Sequence, residues 1–255
     1  MIYSLLFVLI SSFASVLIQK LYLTIPSVFT LLVTATIATI YFNIVNLHKL
    51  KIVYRQCLQQ KYLWLAIMLV ILVMWYCTMT GPGLIGASNY RFLYFSWLGA
   101  LGFTSQAIYY LKHRAINLLG GIGAVFLVVI LMTSQWLTEP YSVAFYTGLL
   151  MPIVGGTCSF IYFKQTQLFT QRTKLQPTQV LAVRFYLAIV FVAVIAPLVT
   201  PVQVLTIKNF GWLALLSILT LIAPLYCLQK ALAFISSEQN AIILSLSPIT
   251  TAFIQ

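Results

Sequence analysis

Two arginines stand inside apolar runs, and their chemistry would matter most in this chain. Arg91 lies in the run 85–110, and Arg184 lies in the run 178–199. A charge at bilayer depth costs several kcal/mol, so an ionisable residue there defaults to a functional role. Arg91 falls some seven residues into its run, about 10 Å from the end at the helical rise. Snorkelling over that distance strains even an arginine, so a water-filled cavity is its natural setting. A guanidinium fork placed there attracts a carboxylate or a phosphate. The alternatives are that Arg91 caps carbonyls around Gly81-Pro82-Gly83, or that its helix starts later. Arg184 sits near the start of its run, where snorkelling or bracing a loop is the first expectation and substrate contact the secondary one.

Aromatic residues gather around the first of these arginines. Trp75, Tyr76, Tyr90, Tyr94, Trp97 and Tyr109 fall in the runs 62–79 and 85–110. Tyr90, Tyr94 and Trp97 follow i, i+4, i+7 spacing and so share one helix face beside Arg91. They suit either the wall of a cavity for an organic ligand or an interfacial belt. Asn240 and Ser245 join the candidate substrate-binding set, with Gln19 and Gln106 as secondary members. Such amides and hydroxyls also serve simply as hydrogen bonds between helices.

Other chemistry is poorly supplied. Glu139 and Glu238 are the only acidic side chains. A Mg²⁺-dependent transferase needs clustered carboxylates, and His48 and His113 cannot make a zinc site by themselves. No Ser, Cys or Lys has a base at a recognisable spacing. Cys57, Cys77, Cys158 and Cys227 are scattered with no CxxC pair, as packing residues would be. No enzyme, metal or cofactor is therefore expected. Proton relays commonly use buried carboxylates; their scarcity disfavours a cation exporter and favours neutral, zwitterionic or anionic substrates.

The elements that must position these residues are membrane helices. Apolar residues make up 62% of the chain and charged ones 6%, far outside what a soluble domain needs for its core. With spans of about 20 residues, the runs predict helices over 2–19, 27–46, 62–79, 85–110, 116–134, 144–168, 178–199, 210–229 and 239–255. Ile25-Pro26-Ser27, Gly81-Pro82-Gly83 and Pro177 punctuate them. Met1 to Ile18 lacks a charged n-region and reads as a retained first helix, not a signal peptide. With the N-terminus cytoplasmic, Lys49, Lys51, Arg55, Lys61, Lys112, Arg114, Arg172, Lys174 and Lys230 fall inside, while Lys20, Lys208 and Glu139 fall outside. That is the bias of the positive-inside rule, and it accounts for the basic balance without nucleic-acid binding.

A repeat runs through the order of spans. Tyr76-Cys77 recurs as Tyr226-Cys227, Phe103 falls on Phe253, and Pro26 matches Pro177 one residue out. Span two then pairs with seven, three with eight and four with nine. Each copy holds five helices, and an odd number inserts the second copy upside down. Inverted repeats are a transporter architecture with a midplane site between the halves. The copies fall at 1–138 and 139–255, the second showing four spans. A tenth helix beyond Gln255 is expected, with a nine-span protein as the alternative.

Three segments resemble the drug/metabolite transporter superfamily, in particular its EamA-type members. Gln239 to Phe253, with Pro248 after a small-residue stretch, resembles the family's ninth helix. Pro177-Thr-Gln-Val-Leu-Ala-Val-Arg184-Phe185 resembles its seventh, and Leu111-Lys-His-Arg114 before Gly120-Gly121 its hinge between the fourth and fifth. His113 stands where the family often has Glu, and Val33 stands where a second-span counterpart of Arg184 would be. The resemblance implies an all-α polytopic membrane protein of two inverted five-helix repeats. It also implies export of an amino acid or related metabolite, with exchange of nucleotide-sugars or other organic anions as the alternative. Less expected is a non-transporting membrane subunit. The partners implied are a small-molecule substrate and the lipid bilayer, in a monomer or homodimer. The location implied is a cell membrane, of the bacterial inner type.

Overall fold

A computed structural model describes residues 1–21, 27–110, 143–199 and 207–254. All regular structure among them is helical: α1 (Ile2–Leu21), α2 (Ser27–Val45), α3 (Leu50–Gln59), α4 (Lys61–Ile85), α5 (Ala87–Tyr110), α6 (Val143–Thr173), α7 (Pro177–Val183), α8 (Tyr186–Val199), α9 (Ile207–Ser217), α10 (Ala223–Phe234), α11 (Ser237–Leu244) and α12 (Ser247–Ile254). Five stretches are long and apolar enough to cross a bilayer: Val28–Val45, Lys61–Ile85, Tyr146–Thr173, Pro177–Ala196 and Phe210–Phe234. They coincide with the expected second, third, sixth, seventh and eighth spans. The expected fifth span, 116–134, and the hinge residues Lys112, His113 and Arg114 lie outside the described residues, as does Glu139.

Polarity runs opposite to that of a water-soluble bundle. Tyr62, Val194 and Phe253 are among many large apolar side chains on the outside, whereas Ser4, Ser12, Thr30, Thr34 and Asn240 are buried. An exterior this apolar needs a lipid solvent, and a helix satisfies its backbone within itself there. Among the described residues this is an all-α membrane protein.

Four local expectations are corrected. Gly81-Pro82-Gly83 does not separate two helices, because α4 runs through it to Ile85. The break comes at Gly86, whose φ of 82° favours glycine. Residues 50–59, expected as loop, form the amphipathic α3. Val53 and Cys57, one turn apart, are fully buried under it, while Lys51, Ile52, Arg55 and Leu58 are exposed. Burial pushes the Cys57 thiol up to about 12.

The expected seventh and ninth spans are both broken. Arg184 and Phe185 separate α7 from α8 with no Gly or Pro at the bend. The neighbours explain it: Asn43 Nδ2 donates to the Ala182 carbonyl at 3.0 Å and Trp64 Nε1 to that of Val183, also at 3.0 Å. Carbonyls freed by a helix break need such partners. In the ninth, Pro248 cannot donate to the Leu244 carbonyl and its ring crowds it, so α11 and α12 are separate eight-residue pieces. The eighth contains a π turn, Ile218–Ile222, just before Pro224, which removes the regular bond to Thr220.

The bundle packs in pairs. α4 lies along α6, α1 along α10, α5 along α11, and α2 along α7 and α8. α6 also touches α5, and α1 also touches α12. At the α2 crossing Ser217 Oγ donates to the Thr34 carbonyl at 2.9 Å.

Candidate functional site

The helices enclose a cavity of about 490 Å³ lined from α1, α2, α4, α5, α6, the α7–α8 break, and α9 to α11. That is the size of a small-molecule pocket. The wall is apolar (Phe7, Met74, Phe95, Phe163 and several leucines) with hydroxyls of Ser11, Thr30, Thr34, Thr78, Ser159 and Thr220 set into it. Both arginines, Arg91 and Arg184, line it, and among the described residues no carboxylate does.

Of the expected site residues, Tyr90, Arg91, Tyr94 and Trp75 line this cavity. Tyr90 and Tyr94 stand 5.9 Å apart between ring centroids, as their i, i+4 spacing requires. The Tyr90 ring fills the place that a Cβ at Gly81 would take, so the glycine inside α4 is a seat for this ring. The Tyr94 hydroxyl bonds Ser159 on α6. Arg91 is the fifth residue of α5, about 6 Å from its start at the helical rise, shallower than expected because the break lies at Gly86. Its Nη1 and Nη2 donate to the Ser11 carbonyl at 3.4 and 3.5 Å, tying α5 to α1.

Trp97, Tyr76, Asn240, Ser245 and Gln106 are elsewhere. Trp97 shares the α6-facing side with Tyr90 and Tyr94 but does not line the cavity; its Nε1 donates to Thr157 Oγ1 at 2.9 Å. Tyr76 is half exposed on the outside of α4. Asn240 is fully buried and accepts from Ser4 Oγ at 2.8 Å, joining α11 to α1. Ser245 sits against Gly99 and donates to the Ile242 carbonyl at 2.7 Å, a packing role. Gln106 is half-buried and does not line the cavity. The side chains of Gln19 and Tyr109 lie outside the described residues.

Arg184 departs most from its expectation. It neither snorkels nor braces a loop: its side chain is 1% exposed, in the middle of the bundle. Nη1 donates to the Tyr162 hydroxyl at 2.5 Å, and Gln229 Nε2 of α10 donates to the same oxygen. The guanidinium stacks on Phe185 at 4.4 Å and on Tyr162 at 5.3 Å. Its Nε and Nη2 have no hydrogen-bond partner, nor does the indole N–H of Trp75, which packs on Phe185. Tyr162 and Gln229 were not legible as site residues, since each is one polar group in an apolar run and only the fold brings them to Arg184.

Lys164, on α6, pairs with Glu238 at 3.3 Å and donates to Ser105 Oγ at 2.9 Å. This links α6, α5 and α11 away from the cavity. Among the described residues no three His, Cys, Asp or Glu side chains come together as a metal site. The cavity can hold and orient a small organic molecule, and an anionic group within it would meet two cations. No family model, curated protein or solved structure matches the chain.

Proposed function

We propose that the chain is a transporter that moves a small organic metabolite, an amino acid or related compound, across a cell membrane by alternating access, in the direction of export. The observation that carries this reading is the central cavity, walled by helices from both halves of the chain and carrying buried polar groups in a lipid-facing bundle. Intramembrane ionisable groups facing a bundle interior mark substrate paths.

The inverted ten-helix repeat, with halves at 1–138 and 139–255, belongs to the same proposal. Exchange of α1 with α6, of α2 with α7–α8, of α4 with α9–α10 and of α5 with α11–α12 turns the α4–α6 pair into the α10–α1 pair. It turns α5–α6 into α1–α12 and leaves α5–α11 and α2–α8 on themselves. Packing of that symmetry supports a repeat, and transporters place sites between such halves. A cytoplasmic N-terminus, a bacterial-type inner membrane and the resemblance to EamA-type drug/metabolite transporters complete the reading.

A second reading, exchange of nucleotide-sugars or other organic anions, is favoured by one observation: Arg91 and Arg184 line the cavity and no carboxylate among the described residues does. Proteoliposomes loaded with a panel of amino acids, neutral metabolites and phosphorylated compounds test both. Counterflow of amino acids supports the first reading. Counterflow restricted to phosphorylated compounds replaces it with the second, and no flux of any panel member rejects transport.

A further inference from the structure

Resting on the transport reading, we infer that the cavity takes an organic carboxylate, held in two-point fashion by the Nε and Nη2 edge of Arg184. Arg184 is a buried charge with no counterion among the described residues. Arg184 is 1% exposed, and a guanidinium remains protonated in proteins. The chain has only two acidic side chains, Glu139 and Glu238. Glu139 lies outside the described residues, Glu238 is engaged by Lys164, and the Arg184 hydrogen bond goes to a neutral phenol. An uncompensated buried charge is strongly unfavourable, and the ring stacking on Phe185 and Tyr162 offsets only part of that cost.

The pattern of satisfied and unsatisfied donors then selects the ligand. Tyr162 occupies Nη1 at one corner of the guanidinium. The donors left over, Nε and Nη2, form the opposite edge, where two N–H bonds run parallel. That spacing matches the two oxygens of a carboxylate. Trp75, which packs on the adjacent residue Phe185, lines the same cavity and offers its unpartnered indole N–H as a third donor. The lining hydroxyls supply contacts for a polar body, and the phenylalanines and leucines a place for an apolar one. Tyr162 and Gln229 position the fork by fixing its far corner.

The test uses the purified full-length chain in detergent, with thermal unfolding read against carboxylate and amide pairs: phenylacetate and phenylacetamide, leucine and leucinamide, succinate and succinamide. Inorganic phosphate is run at matched ionic strength. At least one carboxylate is expected to raise the midpoint saturably, with its amide and phosphate inactive at the same concentration. Arg184→Lys keeps the charge and removes the fork, so half-saturation should move up at least tenfold; Arg184→Gln should abolish the shift. The paired ligands on the unaltered chain keep the test decisive even where a variant fails to fold. No carboxylate outperforming its amide overturns the inference, as does an equal shift with phosphate or an unchanged shift in Arg184→Lys. Carboxylate-selective binding without flux in proteoliposomes would reject transport and leave this site standing. Flux of neutral compounds without carboxylate preference would do the reverse.

Discussion

Arg184 Nη1 donates to the hydroxyl of Tyr162 at 2.5 Å, and both side chains are buried to within 1% exposure at the wall of the central cavity. The contact joins the break between α7 and α8 to the middle of α6, and Gln229 extends it to α10 through the same oxygen. One phenol therefore holds three helices around the cavity.

Tyr162→Phe should loosen this junction. It strands two buried donors, Arg184 Nη1 and Gln229 Nε2, and a lost bond to a charged group costs roughly 1.5–3 kcal/mol. A lower unfolding midpoint in detergent together with reduced proteoliposome flux is expected. An unchanged midpoint would mean that water replaces the phenol without loss.

Arg91→Ala should abolish transport while leaving membrane insertion intact, because Arg91 lines the cavity close to the start of α5 and ties it to α1. Flux and membrane yield measured on the same preparations check this. Full flux in the variant would remove Arg91 from the substrate path.

The two glycines flanking Pro82 should respond oppositely to alanine. At Gly81 the new methyl meets the Tyr90 ring, whereas nothing lies within 4 Å of the position at Gly83. Overpacking costs typically 1–3 kcal/mol, and alanine in a helix gains about 1 kcal/mol over glycine. Gly81→Ala should therefore lower the unfolding midpoint and Gly83→Ala hold or raise it. Equal effects would contradict the placement of Tyr90.

Acid should weaken the Lys164–Glu238 link. Burial raises the Glu238 pKa, but its own backbone N–H at the start of α11, Ser236 and Lys164 together outweigh that and hold it below the ordinary 4.5. With the folded value below the unfolded one, the stabilisation is complete above the unfolded value. It is lost as pH falls through the folded one. The pair is partly exposed, so the effect is small, on the order of 1 kcal/mol or less. Melting curves from pH 7 down to acid should show a loss in the wild type that Glu238→Gln lacks. Parallel curves for the two proteins would exclude the link.

Much of the fold was legible in the chain because a bilayer imposes a length and a composition on each span. The runs 27–46, 62–79, 144–168, 178–199 and 210–229 all reappear as stretches able to cross it. Local chemistry misled where tertiary partners outweighed propensity. Gly81-Pro82-Gly83 has the composition of a turn, yet α4 continues through it to Ile85, with the Tyr90 ring packed on the bare surface of Gly81. The α7–α8 bend has no sequence marker, since Asn43 and Trp64 supply what sustains it from distant segments.

The site divides in the same way. Tyr90, Arg91 and Tyr94 were readable because they lie on one helix at fixed spacing, and helical geometry brings them together whatever surrounds them. Trp97 shares that face and packs on the same helix, α6, where it bonds Thr157 outside the cavity lining. By itself the sequence determined the solvent, five of the expected spans and the poverty of carboxylates, all of which follow from residue type and run length. Only the tertiary structure decided that Arg184 lies in the interior beside Tyr162. Whether an arginine near a helix start reaches outward or inward depends on the helices packed around it, and those come from every part of the chain.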